Sequence, residues 1–221
     1  MAQLVEPVAE KTTHQVAGEP TSGYAWYVVI VLMICCTLSF IDRQILSLLV
    51  GPIKQDLGIS DARIGLLQGL AFAVFYTLLG LPLGRIADRR SRRNLIAVGV
   101  FFWSLMTAVC SFATSFWSLF LARMGVGVGE ATLGPAAFSL ISDYFPKERL
   151  GKALSVYSAG IFIGAGMANI VGGTVSQAAL KMAPVNVPIM GTIAPWRLTF
   201  LIVGIPGLLV GLLVYSVREP L

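Results

Sequence analysis

The sequence predicts an all-α membrane protein: six transmembrane helices arranged as two inverted three-helix repeats. Three observations carry that expectation. Of the 221 residues, 56% are hydrophobic and only 12% are charged, and the mean hydropathy is positive; a soluble domain devotes about a quarter of its residues to charge. The apolar residues are gathered into runs long enough to cross a bilayer, which takes about 20 residues. Two of those runs, the first and the fourth, each hold an acid and a base, which fits corresponding helices of a repeated three-helix unit.

In chain order, residues 1–23 are polar, with Glu6, Glu10 and Glu19, and lack the basic-then-apolar pattern of a cleaved signal. They predict a disordered cytoplasmic tail ahead of a membrane domain over residues 24–221. The spans are Trp26–Val50, Ile64–Leu83, Leu95–Ala113, Phe116–Ser142, Leu150–Ala178 and Leu198–Val217. Thr114 and Ser115 alone separate the third and fourth, so these two form a tight hairpin. The loop from Lys181 to Trp196 holds Pro184, Pro188 and Pro195 and cannot continue a helix. Sheet is implausible for the apolar runs, which are longer than strands need and lie in lipid that demands an internally satisfied backbone. Pro82, Pro135 and Pro206 permit kinks. Glycines at helical spacing, Gly125, Gly127 and Gly129 and then Gly160, Gly164 and Gly166, predict close helix packing.

The net charge of +5 is a topology signal. Arg85, Arg89, Arg90, Arg92 and Arg93 crowd the loop between spans two and three, and Lys147, Arg149 and Lys152 that between spans four and five. The opposite loops hold only Lys54, Arg63, Lys181 and Arg197. Positive residues favour the cytoplasmic side, which places both termini in the cytoplasm and suits a bacterial inner (plasma) membrane. Nucleic acid is therefore not an expected partner; the lipid bilayer is. Cys35, Cys36 and Cys110 fall inside apolar spans and read as buried thiols rather than a disulfide or zinc framework. The single histidine, His14, lies in the tail, and no metal-ligand cluster or activated serine is evident, so neither an enzyme nor a metal site is expected.

The charges inside the spans are the candidate site. An ion in hydrocarbon costs roughly 2.5 kcal/mol or more, so such residues are rare without a use. At about 1.5 Å of rise per residue, Asp42 lies ~12 Å from the far end of span one, and Arg123 lies ~10 Å into span four. These matched depths allow an Asp42–Arg123 contact. Glu130 is two helical turns from Arg123 and shares its face, ~10 Å away. Asp42 and Arg43 point about 100° apart and cannot serve one partner. The expectation is a ladder of charges, Asp42 and Arg123 above and Glu130 nearer the middle. It serves either as a proton and substrate site or as an ion-pair network that only fixes helix register.

Several motifs carry a family resemblance. Gly84, Asp88, Arg92 and Arg93 in the run GRIADRRSRR resemble the loop motif of the major facilitator superfamily, with Ile86 in place of leucine and Ser91 in place of glycine. Arg123, Gly127 and Ala131 resemble its fourth-helix motif, and the run from Pro146 through Arg149 and Gly151 to Ala153 resembles its loop between helices four and five. Trp196-Arg197 and Arg218-Glu219-Pro220 resemble its sixth helix. The segments starting at Asp42 (DRQIL) and at Gly125 (GVGVGEA), with Ser142-Asp143, look like the spinster branch. Gly160 and Gly164 fit part of an antiporter motif, with Ala165 where proline is usual.

The resemblance implies the N-terminal half of a twelve-helix transporter, with a missing C-terminal six-helix half as partner. It implies Asp42, Arg43, Arg123 and Glu130 as cavity residues binding protons and substrate. It assigns Gly84, Asp88, Arg92, Asp143 and Arg149 to a cytoplasmic gate. The implied function is proton-coupled transport of amphipathic anionic lipids such as lysophospholipids or sphingosine phosphate, with protons as coupling ion and no cofactor. A symporter of small organic acids and a non-transporting six-helix subunit are the alternatives.

Overall fold

The computed structural model describes residues 22–181, 185–187 and 191–220. The tail expected over residues 1–23 lies outside the described residues up to residue 21, and Ser22 already begins the first helix. Helix α1 runs from Ser22–Leu48, long enough at 27 residues to cross a bilayer with margin. It is followed by a short helix the sequence reading did not separate, α2 (Val50–Leu57), which ends on Gly58 in the left-handed region (φ 60°). That conformation suits glycine because it has no Cβ to clash.

Span two is composite. Ser60 caps α3 (Asp61–Gly65) by accepting the Arg63 N–H. A π-helical turn at Leu66–Leu70 then feeds into α4 (Ala71–Arg89). Ser91 caps α5 (Arg92–Cys110), accepting the Asn94 N–H at 3.2 Å. The tight connection to span four is closed by a reciprocal cap between Ser115 and Ser118 at the start of α6 (Phe116–Glu130).

Span four is then interrupted. Ala131 and Thr132 separate α6 from α7 (Leu133–Tyr144). Pro135 has no N–H to offer the Ala131 carbonyl, so the helical ladder cannot run through this point. Helix α8 (Lys147–Lys181) is the longest, at 35 residues. Beyond it Val185–Val187 (β1) pairs antiparallel with Gly191–Ile193 (β2). This small hairpin falls in the proline-containing loop, while the apolar runs are helical, as expected. It lies outside the six candidate spans, where water can satisfy strand edges. Helix α9 (Pro195–Val214) opens with proline at its first turn, where a missing N–H costs nothing.

Among the described residues, six helical segments are long and apolar enough to cross a membrane: Gly23–Leu48, Asp61–Ala87, Arg92–Cys110, Phe116–Tyr144, Lys147–Thr174 and Pro195–Val214. Alternation of direction puts the α4–α5 and α7–α8 loops, the start of α1 and the end of α9 at one end of the bundle, the basic end. Helix α1 packs along α8, and α5 along α9. Gly160 and Gly164 set the first distance: a Cβ there would fall 2.7 Å and 2.5 Å from the carbonyl oxygens of Met33 and Thr37 on α1. Only hydrogen fits at that separation.

The core has two apolar clusters. One holds Val28, Leu32, Trp103, Leu140 and Val214; the other holds Ile45, Leu49, Leu119, Trp196 and Phe200. On α1 the change from one to the other falls between Cys36 and Ile41, and on α6 between Ala122 and Val126. Arg123 lies within that seam on α6, and Asp42 and Arg43 border it on α1. Cys35, Cys36 and Cys110 are free and buried, as the sequence implied. Spans one and four are 50% and 61% buried, whereas spans two and five are only 17% and 22% buried. Those two spans therefore leave most of their surface bare.

Candidate functional site

At the seam stand two ion pairs built from adjacent residues of α1. Asp42 and Arg43 diverge around the helix, and each finds a partner on α6. Arg123 Nη1 donates to Asp42 Oδ1 at 2.8 Å, and both side chains are buried. The Thr107 hydroxyl, from α5, donates to the other carboxylate oxygen of Asp42. Arg43 Nε donates to Glu130 Oε2 at 2.6 Å, and the Ser39 hydroxyl donates to the same oxygen at 2.6 Å. The expected Asp42–Arg123 contact is present. Glu130, the lower rung, is held by Arg43, a partner the sequence left open.

Two acids and two arginines leave the site formally neutral, which makes its burial tolerable. Its hydrogen bonding is incomplete. Glu130 Oε1 and Arg123 Nε are buried and have no hydrogen-bond partner among the described residues. An unmet buried polar atom costs about 1–3 kcal/mol, so the site holds capacity for further hydrogen bonds at two defined atoms.

Arg43 is the member that reaches outward. Its side chain is 27% exposed while that of Glu130 is fully buried. Its guanidinium carbon lies 4.5 Å from the Phe72 ring centre, 4.8 Å from Tyr76 and 5.1 Å from Phe40. Phe72 and Tyr76 sit on α4, the least buried span, so this aromatic cage borders surface that the described residues leave bare. Gly127 fixes it there: a Cβ on Gly127 would fall 2.9 Å from the Phe72 carbonyl oxygen, so its absence lets α4 close onto α6.

A second charged cluster lies at the basic end. Arg92 Nε donates to Glu219 Oε1 at 2.9 Å, and its Nη1 donates to Ser139 Oγ at 3.1 Å and to Asp143 Oδ2. Glu219 also accepts the N–H groups of Arg92 (3.1 Å) and Arg93 (2.8 Å) and the Ser91 hydroxyl (2.9 Å). It thus caps α5, where the helix dipole favours an anion. Partial burial opposes its charge, but these donors outweigh it and hold its carboxyl below the usual range.

Of the sequence-named residues at this end, Arg92 and Asp143 come together. Gly84 is half-buried on α4, where an added Cβ would meet Pro135 at an ordinary 3.8 Å. Arg149 is exposed on the first turn of α8 and makes no ion pair with the described members of the group. The side chain of Asp88 lies outside the described residues.

Sequence reasoning missed Ser39, Thr107, the cage of Phe72 and Tyr76, and the capping role of Glu219. Ser39 carried a usable signal, standing three and four residues before Asp42 and Arg43 on the same helix face. Thr107 and the cage come from other helices, and nothing in their local sequence marks them.

Comparison with known proteins shows the family and the fold. The sequence pattern of the Major Facilitator Superfamily matches residues 32–221. An efflux pump of that type from Mycolicibacterium smegmatis is 32% identical over 200 residues, covering 89% of this chain and 43% of its own length. A sphingosine-1-phosphate transporter of Mus musculus is 35% identical over 165 residues, covering 71% of this chain and 30% of its own. The crystal structure of a bacterial homologue of the human lysosomal transporter spinster, inward-facing and unoccupied, superposes with a TM-score of 0.82 at 37% identity. That match covers 91% of this chain and 45% of the other. The chain thus spans less than half the length of these relatives. With its six spans, its paired charges on the first and fourth and its spinster-like relatives, the chain belongs to the Major Facilitator Superfamily, as the N-terminal half of that fold.

Proposed function

We propose that this chain forms half of a proton-coupled secondary transporter for amphipathic anionic molecules, of the class of lysophospholipids or sphingosine phosphate. The observation that carries the reading is the Arg43–Glu130 pair, buried on the carboxylate side and half-open on the guanidinium side. A proton on Glu130 removes the charge that holds Arg43. The guanidinium is then available to a phosphate, which its planar fork binds through two hydrogen bonds. The aromatic cage keeps Arg43 in place while its ionic partner changes. The bare surfaces of spans two and five support contact with a second six-helix half, between which and this one the substrate sites of this fold class lie.

In this reading both termini are cytoplasmic, in a bacterial inner membrane, and the Arg92 cluster with Gly84, Asp88 and Arg149 forms the cytoplasmic gate. The lipid preference is supported by the relative named as a sphingosine-1-phosphate transporter. The test is uptake of a fluorescent lysophospholipid by the complete transporter in liposomes under an imposed pH gradient. Saturable accumulation that a protonophore abolishes is expected. Accumulation of small organic acids that lysophospholipid does not compete with would replace the lipid assignment, and gradient-independent uptake would remove the proton.

A further inference from the structure

Away from the charged seam, α5 and α9 leave a narrow groove between them near the basic end. It is lined by Ala97, Val98, Phe101, Gly211, Leu212 and Tyr215 and has a volume of about 170 Å³. Val98, Phe101, Leu212 and Tyr215 are exposed, so in a membrane the groove opens sideways to lipid. Gly211 forms its floor. An added Cβ there would meet the Phe101 nitrogen at 3.4 Å and the Ala97 carbonyl oxygen at 3.6 Å, ordinary contacts.

The mouth of the groove is basic. Arg93, one helical turn before Ala97, lays its guanidinium 5.9 Å from the ring centre of Tyr215, a lining residue. Its Nε donates to Asn94 Oδ1 (3.2 Å) and its Nη1 to the Val217 carbonyl (3.5 Å). Its Nη2 makes no hydrogen bond among the described residues. Arg89, Arg90 and Arg92 stand nearby in the chain, and Arg92 is committed to Glu219 and Asp143.

We propose that this groove is a binding site for one anionic phospholipid, its phosphate on Arg93 and one acyl chain along Ala97, Phe101 and Gly211. Depth fits the occupant: Ala97 and Phe101 lie ~6 Å and ~12 Å further into the membrane than Arg93, the direction an acyl chain takes below its headgroup. Size fits as well. A dry apolar cavity of about 150 Å³ holds one benzene ring, so this one takes a stretch of hydrocarbon chain but is far too narrow for a helix of about 10 Å diameter. Charge complementarity selects the anion over a zwitterion, since a juxtamembrane arginine attracts anionic headgroups.

Native mass spectrometry of the complete chain tests this, with dioleoylphosphatidylglycerol, dioleoylphosphatidylcholine, lysophosphatidylglycerol and glycerol 3-phosphate as probes. One phosphatidylglycerol should be retained in preference to phosphatidylcholine. Arg93→Gln should cut its retention about tenfold, the loss of one charge-assisted hydrogen bond, and Arg93→Lys should restore most of it. Gly211→Ala, which the packing accepts, should weaken retention of phosphatidylglycerol and lysophosphatidylglycerol alike, with the melting temperature unchanged. Equal retention of the two diacyl lipids, indifference to Arg93→Gln, or equal binding of glycerol 3-phosphate would overturn the assignment. So would a second copy of the chain, lost in Gly211→Ala, in place of lipid.

Discussion

Arg43 Nε lies 2.6 Å from Glu130 Oε2, and Arg43 is the immediate neighbour of a residue whose partner is Arg123. Two consecutive positions on α1 thus reach two different charges on α6, with the first pair sealed and the second partly open. A register-fixing network has no need for that asymmetry. A site that must admit a proton and an anion does, because a sealed pair can hold geometry while an accessible one exchanges partners.

The first prediction follows for Glu130. Glu130→Gln keeps the shape and the Ser39 contact but removes the titrating group. The complete transporter should insert normally yet lose proton-driven accumulation, while exchange of substrate between equal pools persists. Uptake against imposed pH gradients measures it; wild-type pH dependence in this variant would end the proposed role.

A second prediction concerns the cage. Phe72→Leu keeps an apolar side chain but removes the ring 4.5 Å from Arg43. A cation over an aromatic face is worth about 0.5–2 kcal/mol. Apparent substrate affinity should therefore weaken by a few-fold up to about thirtyfold, with expression unchanged. Unaltered affinity would show that the ring contact is incidental.

Packing supplies the third. Gly164→Val would drive a branched side chain into the Thr37 carbonyl, already 2.5 Å from the position of a Cβ. Overpacking costs typically 1–3 kcal/mol, and here it must part α1 from α8. The melting temperature in detergent should fall clearly, whereas Gly166→Ala, with open space around it, should leave it unchanged. Equal melting of both variants would refute the close-approach account.

The reach of the sequence is clear from these residues. Six spans were legible because lipid admits few alternatives to a long apolar helix. Asp42 and Arg123 could be matched because depth follows from helical rise, a local quantity. The pairing of Glu130 with Arg43 was not legible, because it depends on how α1 is rotated against α6, which no single helix records. Phe72 and Tyr76 were invisible for the same reason: their use comes from Gly127 letting α4 approach. The break at Ala131 and Thr132 was half legible, since Pro135 announced a kink but not its place beside Glu130. The β1–β2 hairpin was not legible because run length and lipid speak against sheet only within the apolar runs, and the prolines of this loop say only that a helix cannot continue through it.

The fourth prediction is a pH dependence at the basic end. The carboxyl of Glu219 is lowered from its ordinary value of 4.5 by donors that outweigh its partial burial. A carboxyl depressed in the folded state stabilises above its unfolded value, and that contribution disappears as pH falls through the folded value. Glu219→Gln should therefore lower the melting temperature at neutral pH, by a contribution of about 0.3–1 kcal/mol for a charge at a helix N-terminus. The gap from wild type should close as the solution is acidified below 4.5. Melting curves taken across that range decide it; a gap that stays constant with pH would show that the charge of Glu219 does not act there.

The last prediction separates the sealed pair from the open one. Asp42 accepts from Arg123 and from Thr107, and both ionic side chains are buried. Removing one member of such a pair leaves the other charge uncompensated, at about 3–5 kcal/mol. Asp42→Asn should therefore lower the melting temperature strongly, and Arg123→Lys should do so too, because it puts a compact, strongly hydrated ammonium into a buried site filled by a planar guanidinium, whose Nη1 reaches both Asp42 Oδ1 and the Asp42 carbonyl. Arg43→Lys should melt near wild type, since its guanidinium is partly exposed, yet lose substrate affinity for want of a bidentate fork. Adding Arg123→Gln to Asp42→Asn removes both charges and should recover part of the stability lost in the single variant. It should not recover transport if Asp42 also carries a proton or Arg123 meets the substrate. Melting and uptake measured on the same four variants resolve the two roles. If Asp42→Asn melted like wild type while Arg43→Lys collapsed, the sealed and open pairs would have been assigned the wrong way round.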